Sequence, residues 1–127
     1  MSQTQSALSR LLVVDDSEDV LESLEMVLDD LGYQVDTALS GSQALDRIRS
    51  AYYELVLCDV GMPGMNGWQV AEQIRSVAPR TKVFLLTGFA DQIARDDPRL
   101  LQVDGVLPKP IEIDTLERFL HEQVPAA

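Results

Sequence analysis

The stretch LLVVDD, residues 11–16, consists of four apolar residues followed by two aspartates. A strand with one face in water alternates apolar and polar residues, whereas a strand buried on both faces is apolar throughout. Residues 11–14 are therefore predicted to form an interior strand of a parallel sheet. Asp15 and Asp16 follow directly, so they are expected at the carboxyl end of that strand.

Four further short apolar runs, rich in β-branched residues, predict the remaining strands. They are Tyr33 to Thr37, Leu55 to Cys58, Val83 to Leu86, and Val106 to Leu107. The run from Tyr33 to Thr37 alternates between apolar and polar residues, while the others are continuous. Alternation indicates a partly exposed strand, so this run is predicted to form an edge of the sheet.

Apolar residues at helical spacing separate and follow these runs and predict five helices. The first opens with Glu18 and Asp19 and closes at Gly32, since acidic residues and glycine favour those two ends. The apolar positions of three others are Ala44, Leu45 and Ile48; Val70, Ala71, Ile74 and Val77 (ending near Pro79); and Leu116, Phe119, Leu120 and Val124.

Two of the helices carry more specific expectations. The fourth is predicted from about Gln92 to Gln102, although it contains Pro98, which is unfavourable inside a helix. The last is expected to begin behind Asp114 as its cap, because aspartate accepts hydrogen bonds from free amides at a helix start.

Regular alternation of strands and helices predicts a doubly wound α/β fold with right-handed crossovers. The expected architecture is a five-stranded parallel sheet in the order 2-1-3-4-5 with helices on both faces, the flavodoxin-like arrangement. A flexible N-terminal segment of residues 1–9 is expected to precede a single domain over residues 10–125, with no output domain after it. The 127 residues, 46% of them hydrophobic, suit one domain with a substantial core.

Charge and composition exclude several function classes. Ten basic and 21 acidic residues give a net charge of −11, which argues against direct nucleic-acid binding. Apolar runs fall far short of the roughly 20 residues that cross a bilayer, so membrane insertion is not expected. One cysteine and the absence of a signal-like N-terminus favour the cytoplasm.

Polar residues stand at the ends of four predicted strands. They are Asp15 and Asp16, Asp59, Thr87, and Lys109. Each has a plain structural interpretation by itself, as a cap, a turn residue, a loop hydroxyl or a solvated charge. Ligands of doubly wound sheets bind at the carboxyl ends of the strands, however, so their joint occurrence predicts one site.

The chemistry of that predicted site follows from its charges. Carboxylates about 5 Å apart repel by roughly 3 kcal/mol per pair at an effective dielectric constant of about 20. Lys109 and a divalent cation would neutralise the three aspartates, and an all-oxygen site suits Mg²⁺ or Mn²⁺. With Thr87 as a donor, the set is suited to phosphoryl transfer onto a carboxylate.

Four motifs carry a family resemblance. VVDD at 13–16, LCDVGMPGMNG at 57–67, LLTG at 85–88 and PKP at 108–110 stand in the order and at the strand ends found in receiver domains of two-component response regulators. The chain resembles this CheY-like family from about Leu11 to Val124. The resemblance implies a signalling domain that receives a phosphoryl group from a histidine kinase or a histidine phosphotransfer protein.

The resemblance also assigns a role to each site residue. Asp59 would be the phosphoacceptor, and Asp16 and Asp59 would ligate Mg²⁺ directly. The backbone carbonyl of Gly61 would be a third ligand, and Asp15 would act largely through bound water.

Two further residues complete the implied site. Thr87 would hydrogen-bond the phosphoryl group and Lys109 would pair with it. The bond from Lys109 to Pro110 would be a cis peptide. Cys58 is interpreted as a core residue and His121 as a surface residue.

The sequence departs from the family pattern at Val106, where many receivers carry an aromatic residue. Phe89 or Phe119 could replace that ring.

The implied activity is a phosphorylation-dependent switch of binding to an unidentified downstream protein. The resemblance implies only weak self-catalysed phosphoryl acceptance and hydrolysis, so the domain is not expected to be an enzyme in the usual sense. Whether the domain acts alone or within a hybrid kinase or larger regulator stays open.

Two other functions remain open. One is a phosphorylation-independent interaction module that keeps the acidic pocket as a relic. The other is a metal-dependent phosphatase with an aspartyl intermediate, a class that generally needs a second acid where Gly61 stands.

Overall fold

A computed structural model describes residues 9–124 of the chain. Five strands form one parallel sheet in the order β2-β1-β3-β4-β5. Their bounds are Arg10–Val14 (β1), Gln34–Ala38 (β2), Leu55–Asp59 (β3), Lys82–Thr87 (β4) and Gly105–Pro108 (β5). The predicted doubly wound sheet, its strand order and the edge position of the second strand are confirmed. The expected flexible segment of residues 1–9 lies, except for Ser9, outside the described residues.

Four α-helices cover the two faces of the sheet. They are Glu18–Asp30 (α1), Gly41–Ser50 (α2), Gly67–Val77 (α3) and Ile113–Gln123 (α4). The buried residues of α2 and α3 pack on one face, and those of α1 and α4 pack on the other. Two helices per face explain why the central strands are apolar without alternation.

Alternating residues of each strand serve the two core layers. On β3, Val56 and Cys58 face the layer under α2 and α3, whereas Leu55 and Leu57 face the layer under α1 and α4. All five residues of β3 are buried. The strand that carries Asp59 is therefore anchored on both faces.

The predicted fourth helix is wrong. Residues 88–104 contain two short 3₁₀ turns, Ala90–Gln92 and Pro98–Gln102, in place of an α-helix. The side chain of Asp97 accepts a hydrogen bond from the amide of Arg99, and Pro98 occupies the first position of the second turn. Both features favour a helix start, so they begin a new turn where the prediction needed a continuous helix.

The predicted cap of the last helix is also wrong. Glu112 occupies the cap position of α4 and makes no side-chain capping bond, so Asp114 already lies inside the first turn. Its negative charge there still interacts favourably with the amides at the helix start. Between residues 9 and 124, no helix is both long and apolar enough to cross a membrane.

Candidate functional site

Four neighbouring strands bring the predicted site residues to one edge of the sheet. Asp59 and Thr87 are the last residues of β3 and β4. Asp15 directly follows β1, and Lys109 directly follows β5. The strand order reverses between β1 and β3, which is where doubly wound sheets bind ligands.

Three carboxylates form an acidic cluster at this edge. Asp15, Asp16 and Asp59 each offer an oxygen, and these oxygens lie within 4.8 Å of one another. Asp15 and Asp59 are buried, whereas Asp16 is exposed. Such a set fits a hard divalent cation, because carboxylates supply oxygen ligands and the exposed side leaves room for the waters that Mg²⁺ retains.

Lys109 supplies the positive charge of the cluster. Its Nζ donates hydrogen bonds to Oδ1 of Asp59 at 2.7 Å and to Oδ2 of Asp15 at 3.2 Å. Burial lowers the pKa of Lys109, but the hydrogen bonds to Asp59 and Asp15 and their charges outweigh this and hold the pKa above its ordinary value. The ammonium group therefore stays charged, and three carboxylates with one ammonium leave a net charge of −2 for a cation to neutralise.

Local hydrogen bonds hold Asp15 in place. Its Oδ1 accepts a hydrogen bond from the amide of Ser17 at 2.9 Å, which leaves Oδ2 for Lys109. The hydroxyl of Ser17 accepts from the amide of Val20 and caps α1. Ser17 thus serves as the helix cap, and the two preceding aspartates are left for the cluster.

Thr87 presents a buried hydroxyl on the adjacent strand. Its Oγ1 accepts a hydrogen bond from the amide of Phe89 at 3.1 Å. A hydroxyl that accepts one hydrogen bond still has its own proton to donate. Sequence reasoning predicted the hydroxyl but not its bond to Phe89, which depends on how the chain turns after β4.

The peptide bond between Lys109 and Pro110 is cis, as the resemblance implies.

The aromatic residues proposed to replace the ring missing at Val106 are placed differently from one another. Phe119 packs edge-on against Phe84, with ring centroids 4.7 Å apart. Phe89 is 65% exposed. Of the two rings, only that of Phe89 is free of core packing.

Cys58 and His121 are the remaining residues for which the sequence carried an interpretation. Cys58 is fully buried, and burial, with the charges of Asp59 and Asp15, raises the pKa of its thiol far above the ordinary value. His121 is exposed on α4. The interpretations of Cys58 as a core residue and His121 as a surface residue are confirmed.

An apolar groove of about 610 Å³ borders the site and was not predicted. Its apolar lining consists of Val20, Leu24, Leu86, Pro110 and Ile111. Asp19, Ser23 and Lys109 also line it. The sequence shows Val20 and Leu24 as part of an apolar helix face, but not that this face extends past the core to residues 109–111.

A family model described as the response regulator receiver domain matches residues 11–121. Among curated proteins, the transcriptional regulatory protein DltR of Streptococcus agalactiae is 34% identical over 107 residues, which are 84% of this chain and 48% of DltR. The virulence sensor protein BvgS of Bordetella pertussis is 38% identical over 126 residues, which are 93% of this chain and 10% of BvgS. The chain thus spans about half the length of DltR and about a tenth of the length of BvgS.

The fold matches solved structures of the same kind. The response regulator protein TrrA of Thermotoga maritima, in complex with Mg²⁺-BeF, has a TM-score of 0.83 and 34% identity, covering 92% of this chain and 100% of that one. TrrA in complex with the histidine kinase ThkA has a TM-score of 0.82 at the same identity, covering 92% of this chain and 99% of that one.

Proposed function

This chain belongs to the response regulator receiver domain family, and from that premise we propose that it accepts a phosphoryl group on Asp59 and thereby switches its binding to another protein. The observation that best supports this proposal is the acidic cluster, in which Lys109 contacts the carboxylates of Asp59 and Asp15 while Asp16 stays exposed. Positive charge, nucleophile and access to solvent are thus combined at one edge of the sheet.

The proposed step is nucleophilic substitution at phosphorus. An oxygen of the Asp59 carboxylate attacks the phosphoryl group of a phosphohistidine, the P–N bond breaks, and its electron pair returns to the imidazole nitrogen. The product is an acyl phosphate on Asp59. Lys109 pairs with one phosphoryl oxygen and the hydroxyl of Thr87 donates to another, which stabilises charge as it develops.

Asp16, Asp59 and the backbone carbonyl of Gly61 would hold Mg²⁺ directly, with Asp15 acting through water. The ion supplies the positive charge that the excess of carboxylates lacks. TrrA, with the same fold, is a protein solved in complex with Mg²⁺-BeF, which supports this assignment. Mn²⁺ has similar ligand preferences and would substitute for Mg²⁺.

We assign the phosphoryl donor to a histidine kinase or a phosphotransfer protein, which docks on the apolar groove. TrrA forms a complex with a histidine kinase, which supports a donor of this kind. Lys109 lines both the groove and the acidic cluster, so an apolar helix in the groove would bring its phosphohistidine next to Asp59. Groove and cluster are thereby continuous.

The role is that of a signalling domain and not of a turnover enzyme. Hydrolysis of the acyl phosphate by the domain itself would be slow and would reset the switch. We place the protein in the cytoplasm, where a free buried thiol such as that of Cys58 stays reduced.

Intact-protein mass spectrometry tests the proposal. The chain is mixed with Mg²⁺ and a small acyl phosphate, and we expect a gain of one phosphoryl group that Asp59→Asn and omission of Mg²⁺ both abolish. Beryllofluoride should shift the amide resonances around Thr87 and Lys109 in the wild type only. Mg²⁺ binding without any adduct would instead support the interaction module with a relic pocket, and an unchanged adduct in Asp59→Asn would contradict Asp59 as acceptor.

A further inference from the structure

We infer that Gly67, which the phosphoryl chemistry does not use, is a positioning residue that holds the Gly61 carbonyl where a small cation needs it. This inference rests on the magnesium site proposed above. Gly67 is the first residue of α3, eight positions after Asp59 in the chain. The structure nevertheless brings it against the backbone that immediately follows the acceptor.

The loop between Asp59 and α3 is closed by one carbonyl. The oxygen of Val60 accepts hydrogen bonds from the amide of Met62 at 3.2 Å and from the amide of Gly67 at 3.0 Å. The first bond closes a tight three-residue turn with Gly61 at its centre, and the second ties that turn to the start of α3. The direction of the Gly61 carbonyl therefore depends on the contact between Val60 and Gly67.

A side chain at position 67 would collide with this backbone. A Cβ there would lie 2.6 Å from the carbonyl oxygen of Asp59, 2.9 Å from Cα of Val60 and 3.1 Å from the carbonyl carbon of Asp59. All three are backbone atoms, so no side-chain rotation can relieve the contact. The glycine is required for close approach, because its φ is not in the left-handed region.

Neither end of the loop can yield easily. Asp59 ends a fully buried central strand, and the amide of Val60 bonds to the carbonyl of Leu86 at 3.1 Å. At the other end, Asn66 and Gln69 form a complete capping box. A Cβ at Gly67 would therefore displace the turn around Gly61, which lies between the two anchors.

This displacement should affect Mg²⁺ more than Ca²⁺. Mg²⁺ requires near-ideal octahedral geometry with oxygen ligands at about 2.0–2.1 Å, whereas Ca²⁺ accepts irregular geometry at about 2.3–2.6 Å. Residues that support metal ligands typically contribute about 10–100-fold to metal affinity. A merely structural glycine would change the stability of the fold without changing the preference between the two ions.

The test is titration calorimetry of Mg²⁺ and Ca²⁺ with the wild type, Gly67→Ala and Gly105→Ala. Gly105 is the matched control, because a Cβ there would meet the ring of Phe84 at 2.8 Å, away from the turn around Gly61. We expect Gly67→Ala to lose Mg²⁺ affinity by at least about tenfold and Ca²⁺ affinity by only about threefold or less. Gly105→Ala should leave both affinities within about twofold of the wild type, although it also destabilises the fold.

Hydrogen exchange of the wild type supplies a second measurement in case Gly67→Ala does not fold. The amides of Met62 and Gly67 should be protected without metal and better protected with Mg²⁺. Equal loss of both ions in Gly67→Ala, unchanged affinities, or protection that does not respond to Mg²⁺ would overturn the inference while the acceptor role of Asp59 stands. A wild type that binds no Mg²⁺ would overturn the proposed metal site and this inference together.

Discussion

At the scale of single residues, the site depends on opposite charges held together from distant parts of the chain. Lys109 contacts Asp15, 94 positions earlier, and Asp59, 50 positions earlier. Its ammonium group offsets part of the negative charge of the cluster. It remains protonated because both carboxylates stabilise the charged form. The two lysines of the chain differ in this respect, because Nζ of Lys82 donates to the backbone carbonyl of Gln123 instead.

Lys109→Met should slow phosphoryl acceptance on Asp59 by about 10²–10³-fold, since a fixed charge that stabilises the transition state is lost. The rate is measured by mass spectrometry with a small acyl phosphate and saturating Mg²⁺. Lys82→Met is the control, and its rate should stay near that of the wild type. A Lys109→Met rate within about twofold of the wild type would show that the ammonium group does not act on the phosphoryl group.

Tyr53 should make stability depend on alkaline pH. Burial, together with the hydrogen bond to Asp36 and the charge of that carboxylate, raises its pKa to about 12. Below pH 10 the phenol is protonated in both the folded and the unfolded chain, so its contribution to stability is complete. Between pH 10 and about 12 only the unfolded chain loses the proton, and the free energy of unfolding falls.

Urea unfolding of the wild type and Tyr53→Phe between pH 9 and 12 measures this dependence. The wild type should lose more stability over that range than Tyr53→Phe does. Tyr52→Phe, at the neighbouring exposed tyrosine, should retain the steep wild-type dependence. Equal pH dependence in all three proteins would contradict the assignment to Tyr53.

At the scale of elements, α1 has two different surfaces. One packs into the core through Leu21 and Leu28, and the other lines the apolar groove with Val20 and Leu24, of which Leu24 also contacts the edge of the core. Leu24 is half-buried, whereas Met26 on the same helix is 73% exposed and lines no part of the groove. These two positions allow docking of a donor protein to be separated from the chemistry at Asp59.

Leu24→Glu should slow phosphoryl transfer from a donor protein by about tenfold or more, since a buried apolar contact is replaced by a charge. Transfer from a small acyl phosphate should be nearly unchanged, because the acidic cluster is intact. The experiment uses a histidine kinase or phosphotransfer protein that phosphorylates the wild type, with Met26→Glu as the control. Equal slowing with both donors would mean that the substitution disturbs the site and not a docking surface.

The region between β4 and β5 is the element that sequence patterns predicted least well. Leu100 and Val103 do pack on the core, as apolar residues of a helix would. Arg99 instead stacks on the ring of Trp68, with its guanidinium carbon 4.5 Å from the ring centroid, and pairs with Asp97. These contacts, together with Pro98, hold a short 3₁₀ turn against α3, and none of them is visible in the local apolar pattern.

At the scale of the whole molecule, the acidic cluster carries an unbalanced negative charge within a chain whose net charge is −11. Asp16 has no Lys or Arg partner within ion-pair distance among residues 9–124, yet it stands beside two buried carboxylates. The fold therefore carries a repulsion that a bound cation would remove. Binding to the folded chain alone stabilises it in proportion to the logarithm of the cation concentration.

Asp16→Asn should raise the melting temperature without metal and reduce the further rise that Mg²⁺ produces in the wild type. Thermal unfolding with and without Mg²⁺ measures both effects. Asp19→Asn is the control, because Asp19 is an exposed acid in the first turn of α1 outside the cluster. A wild type with no response to Mg²⁺, or an Asp16→Asn variant with the full response, would contradict the metal assignment.

The sequence by itself determined the order of the strands, four of the five predicted helices and the identity of the residues at the strand ends. It could do so because burial on both faces leaves continuous apolar runs, and because parallel strands place their carboxyl ends at one edge. The tertiary structure alone decided the bond from Phe89 to Thr87, the groove beside Lys109 and the approach of Gly67 to Asp59. Each of these depends on how far the chain turns between elements and on which distant atoms then meet, and local residue patterns do not encode such distances.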